Sequence, residues 1–130
     1  AELYERLTRV PKRVDAGEYL LALARAYLEF GLSNPTHYAL ISAPRRDDAR
    51  RLPSAEAARE LVFRALVAAS GAGTLAARDP EAIFQTVWAV LHGVVSLSVS
   101  RPDHPWRPEL VDLALGTIER GLLCKELGAP

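Results

Sequence analysis

With 130 residues, sixteen basic and sixteen acidic side chains, the chain is sized for one domain with a real core and has no net charge. That balance removes the field by which a protein holds polyanions, so nucleic-acid binding through these residues is disfavoured. A single cysteine, Cys124, excludes an internal disulfide and fits a reducing, cytoplasmic setting, and the N-terminal residues lack the apolar core of a secretory signal.

Every segment with clear periodicity is helical, and neither β-type alternation nor an Asn-Gly or Asp-Gly hairpin signal occurs. Glu2–Arg9 reads as the tail of a helix, with Leu3, Tyr4 and Leu7 on one side, stopped near Pro11. Asp15 is placed to cap the next helix, with Glu18 completing a capping box. Its inward face is Tyr19, Leu20, Leu23, Tyr27 and Phe30, and it ends near Gly31–Ser33. Asn34-Pro35 then supplies an N-cap and a first-turn proline for a short helix, Pro35–Ser42, that carries His37, Tyr38 and Ile41.

Ala43–Pro53 is a charged connector bounded by prolines. Its Arg45, Arg46, Arg50 and Arg51 suggest phosphate contacts, but Asp47 and Asp48 offset them and no aromatic is interleaved, so it reads as a solvated loop. Ser54 caps a helix to Ser70, with Val62, Phe63, Leu66 and Ala69 inward and Glu60 paired to Arg64 on the surface. Gly71-Ala72-Gly73 ends it. Asp79-Pro80 opens a long helix, a three-proline loop follows in which Trp106 clips the chain against the helix ends, and Pro108 starts a last helix to Leu123.

The long helix dominates the reading. Its nineteen residues Ala82–Ser100 carry no Asp, Glu, Lys or Arg in a chain that is 25% charged. Such a helix, about 28 Å long, must be covered by lipid or by protein on all sides. Gln85, Thr86, His92, Ser96, Ser98 and Ser100 interrupt it and no basic cluster flanks it, which favours a buried central helix over a membrane span. A wheel puts Ile83, Phe84, Val87, Trp88, Val90, Leu91, Val94, Val95 and Leu97 on a wide bulky side. Gln85, Ala89, His92, Gly93, Ser96 and Ser100 form a narrow stripe of small or neutral-polar residues. The last helix repeats the pattern: Leu110, Val111, Ala114, Leu115, Ile118 and Leu122 are apolar, with a small-residue seam at Ala114, Thr117 and Gly121. Three shorter helices cannot cover both. The expectation is a homodimer in which two helices from each subunit form a four-helix bundle, through Gln85, Ala89, Gly93, Ser96, Ala114, Thr117, Ile118 and Gly121.

These segments resemble the C-terminal regulatory domain of TetR-type bacterial transcription regulators, in the branch marked by a Trp…His-Gly motif, here Trp88, His92 and Gly93. Ala26–Ser42, with Tyr27, Phe30, Asn34-Pro35 and Tyr38, matches the same branch, and the likeness runs from Tyr4 to Leu123. It implies an all-α, TetR C-terminal-like helical bundle of about five main helices. It also implies a ligand-responsive regulator in which a small hydrophobic effector alters operator-DNA binding by an N-terminal helix-turn-helix. Nothing before Asp15 has room for such a head, and Glu2–Arg9 looks like the end of its connecting helix, so the chain is expected to be one effector-binding and dimerisation domain.

Tyr27, Tyr38, Trp88 and His92 sit on three helices that should converge, with Phe63 and Leu66 as an apolar wall. They suit an apolar pocket whose few polar tips orient a ligand, and equally suit core positions with one satisfied polar atom each. His37, His92 and His104 lack carboxylates at helical spacing, so no metal site or other cofactor is expected. Nucleophile motifs, phosphate-cradling glycine loops and paired carboxylates on an apolar face are absent, which argues against an enzyme. The alternative to a regulator is a stand-alone helical small-molecule-binding or scaffold protein.

Overall fold

A computed structural model describes residues 2–12, 15–42, 53–71 and 79–123. The connector Ala43–Leu52, Gly73, Cys124 and Gly128 lie outside them. Six helices and no strand occur among the described residues: α1 (Glu2–Thr8), α2 (Ala16–Ser33), α3 (Pro35–Ser42), α4 (Pro53–Gly71), α5 (Pro80–Ser100) and α6 (Leu110–Leu122). The all-α expectation therefore holds, with α1 and α3 as short additions to four long helices.

Local signals set most of the boundaries. The Asp15 carboxylate accepts the Glu18 backbone N–H at 3.0 Å, closing the first turn of α2. Asp79 with Pro80 starts α5 through backbone conformation alone, because no side-chain cap bond forms there. Asn34 stands at the expected N-cap position of α3, its carbonyl accepting the Tyr38 N–H at 2.9 Å, but its side chain turns back: it donates to Phe30 O at 3.0 Å, as does its backbone N–H at 2.9 Å. It therefore closes α2 as well as opening α3, since the free carbonyls at the end of α2 are the nearest partners of its side chain. Helix α4 begins at Pro53, which places Ser54 inside the first turn instead of at the cap. Helix α6 starts at Leu110, two residues beyond Pro108. The intervening loop is clipped as expected, the Trp106 indole donating to Arg101 O at 2.8 Å.

The centre of the molecule is α2, not α5. It packs against each of the other described helices, while α5 packs against α2, α4 and α6. Small residues allow this: Gly17, Ala24 and Gly31 are buried on α2. At Gly31 a Cβ would meet both Val95 methyls at 2.8 Å and Tyr38 at 3.2 Å, so only glycine permits this helix crossing. Leu28, Leu91, Val95, Leu115 and their neighbours form one core cluster between α2, α5 and α6. Leu3, Leu7, Leu23 and Phe30 join α1 and α4 to α2 in another, and Leu66, Ile83 and Phe84 tie α4 to α5.

By length and mean hydropathy, 1.6, α5 is able to cross a membrane. In this fold it is a core helix with part of its circumference uncovered. Ile83, Phe84, Leu91, Val94 and Val95 are buried, whereas Trp88 and Leu97, placed on the bulky side of the wheel, are 48% and 52% exposed. The other described helices cover only part of its circumference.

Candidate functional site

Helices α1, α2, α4, α5 and α6 line a partly open cavity of about 680 Å³. That is within the range of small-molecule pockets. Its walls are mainly aliphatic, Leu3 and Leu7 from α1 facing Leu23, Leu66 and Ile118. Polar atoms gather on one arc, built by Tyr27 of α2, Trp88 and His92 one turn apart on α5, and Arg59 of α4.

The arc is wired together. Tyr27 Oη and Tyr38 Oη are 2.7 Å apart, and Tyr38 Oη lies 2.6 Å from His92 Nδ1. Burial, then the adjacent Tyr38, raises the Tyr27 phenol well above its ordinary pKa of 10.0, and the nearby Trp88 indole opposes this in part. Either phenol can donate to the other, and Tyr38 donates to or accepts from His92 Nδ1 according to the imidazole tautomer. The rings also touch, Tyr27 edge-on to Tyr38 at 5.8 Å and Tyr38 stacked near His92 at 5.6 Å.

Of the residues expected at a pocket, Tyr27, Trp88, His92 and Leu66 border the cavity. Tyr38 and Phe63 do not. Tyr38 is buried at 3% exposure on α3, which reaches the cavity only through its bonds to Tyr27 and His92. Phe63 lies one position round the helix from Val62 and packs edge-on against Phe84 at 5.7 Å, behind the wall. Sequence reasoning missed Arg59, Glu56 and the α1 leucines. The guanidinium of Arg59 sits 5.4 Å from the Phe84 ring centroid and 5.8 Å from that of Trp88. A signal existed: Arg59 precedes Val62 and Leu66 by three and seven residues, on the inward stripe of α4.

The residues expected at a subunit seam divide. Gln85, Ala89, Thr117 and Gly121 are exposed, and Gly93, Ser96 and Ala114 half-buried. Gln85 and Ala89 also border the cavity. Ile118 is corrected to a core position: 5% exposed, it packs among Leu28, Leu91 and Leu115 on the inner side of α6. Leu113, unremarked in the pattern, is 60% exposed on the outer side. Of the other histidines, His37 pairs with Glu2 at 3.1 Å and ties α3 to α1, while His104 stacks on Trp106.

The family model for the tetracyclin repressor-like C-terminal domain matches residues 20–116. The chain belongs to that family. Among solved structures, the TetR-type domain is similar to a protein of unknown function from Rhodococcus sp. RHA1, at 27% identity and a TM-score of 0.75. The match covers 95% of this chain and 66% of that one, so the domain corresponds to about two thirds of the longer protein. No curated protein sequence matches it.

Proposed function

We propose that this domain is the effector-binding and dimerisation part of a ligand-responsive transcriptional regulator, with no catalytic role. The observation that carries the reading is the cavity: an aliphatic chamber with one hydrogen-bonded polar arc, in a domain whose family is regulatory. A small apolar molecule is the effector. Operator DNA is contacted by a helix-turn-helix outside these residues.

The coupling follows from who lines the chamber. Leu3 and Leu7 belong to α1, which precedes the rest of the domain and packs on α2 and α4. A ligand that fits one position of α1 better than another shifts α1 by its difference in affinity for the two states, and by no more. Pairing of two copies uses the uncovered part of α5 with the outer side of α6, where Leu97, Leu113, Gly93 and Gly121 meet water in one subunit. Packed helix to helix, each large apolar side chain withdrawn there contributes about 1.5–3 kcal/mol.

Two measurements test this. Light scattering at micromolar protein should return a two-subunit mass; a single-subunit mass removes the dimer. A thermal-shift screen of apolar compounds should find molecules that raise Tm in the wild type and not in Trp88→Ala. A screen without any stabilising compound removes the effector.

A further inference from the structure

Resting on the reading of the cavity as an effector site, the geometry points to the class of molecule it takes: we propose an apolar monocarboxylic acid, its chain among the leucines and its carboxylate on Arg59. Two features lead there. The first is how Arg59 is held. Its guanidinium carbon lies 5.4 Å from the Phe84 ring centroid and 5.8 Å from that of Trp88, and the two centroids are themselves 6.0 Å apart, so both rings lie to one side of it. The side turned away from the rings is left for a carboxylate, which a guanidinium can bind by two parallel hydrogen bonds. Among the described residues Arg59 has no carboxylate partner, although Arg64, five residues on, is paired with Glu60 at 3.0 Å.

The second feature is the composition of the lining. Apart from Arg59, Tyr27, Trp88, His92, Glu56 and Gln85 the walls are apolar, and among the described residues Arg59 is the only lysine or arginine on them. Gln85 Nε2 donates to Glu81 at 3.0 Å, and Glu56, one turn before Arg59, is engaged in a contact of its own. A cationic donor at an apolar chamber selects a ligand whose polar end is an anionic acceptor. A cationic amphiphile would meet an aromatic pair whose cation site Arg59 already fills.

The test is calorimetric titration of the full chain at neutral pH with octanoate, octan-1-ol and octylammonium, the same tail carrying an anionic, neutral or cationic head. Octanoate should bind at least about tenfold more tightly than octan-1-ol, as a charge-assisted bidentate pair implies. Arg59→Met keeps the stem packed on the rings and removes the charge; it should abolish the preference for octanoate while leaving octan-1-ol affinity unchanged. Arg59→Lys, which keeps charge but not the fork, should retain part of the preference. Because Arg59 is exposed, both variants should melt near the wild type, and that melt is recorded first. Octan-1-ol or octylammonium binding as well as octanoate overturns the carboxylate assignment and leaves the effector site standing. An undiminished preference in Arg59→Met overturns the role of Arg59. Failure of all three to bind overturns both readings.

Discussion

Helices α2 and α5 make an instructive pair. α5 is the more apolar, without a charged residue from Ala82 to Ser100, yet it leaves Trp88 and Leu97 about half exposed. α2 carries Glu18, Arg25 and Glu29 and is nevertheless the element around which the others assemble. Hydropathy reports how much of a helix needs covering. Which neighbours can reach it depends on small residues and chain order, and there α2 has the advantage of Gly17, Ala24 and Gly31. The excess on α5 is what pairing with a second copy would absorb.

The contrast is open to direct attack. Leu28→Ala, at a fully buried site of α2, should lower unfolding free energy by about 2–5 kcal/mol in urea titrations. Leu97→Ala on α5 should leave subunit stability within about 0.5 kcal/mol. Equal losses would erase the distinction between the two helices. Gly31→Ala should destabilise by about 1–3 kcal/mol, because its methyl meets the stiff Val95 side chain. If Gly31→Ala is neutral or stabilising, the close crossing is not what fixes α2 against α5.

Smaller effects probe the arc and the seam. Tyr38→Phe removes the middle of the hydrogen-bond chain and should cost about 1–3 kcal/mol, chiefly from the partners it orphans at Tyr27 and His92. Tyr27 gives a pH signature. Its phenol holds its proton more tightly folded than unfolded, so that stabilisation is complete below about pH 10 and fades as pH rises toward the elevated folded value. Tm should fall above pH 10, less steeply in Tyr27→Phe; identical slopes would remove the burial explanation. The least effect on the subunit belongs to Gly121→Leu. A Cβ there meets nothing within 4 Å, so the fold should be kept while a two-subunit mass is lost. Retention of the dimer would clear Gly121 from the seam.

Much of the fold was legible from residues whose local chemistry is decisive. Asp15 with Glu18, Asn34-Pro35 and Asp79-Pro80 mark where helices begin, and α3 has the limits those signals set. Legibility failed where a signal has two outlets. Asn34 offered a side chain to the helix behind it as readily as to the one ahead, and Pro53 took the first helical position that Ser54 was expected to precede. For the site, Tyr27 and His92 are half-buried and Trp88 about half exposed, all three at the cavity border, and a wheel cannot tell a filled interior from a hollow one. Tyr38 became a relay behind the wall for that reason. Arg59 escaped notice because a charged residue on an inward stripe looks like a surface residue until the rings beneath it are placed.

The crossing at Gly31 has one mechanical corollary. The Val95 methyls sit 2.8 Å from where a side chain would begin, so this one hydrogen atom sets the depth at which α5 rests on α2. A methyl group placed there would act as a shim, and because Val95 belongs to the same cluster as Leu91, Leu115 and Ile118, its thickness would be passed on to α6 as well.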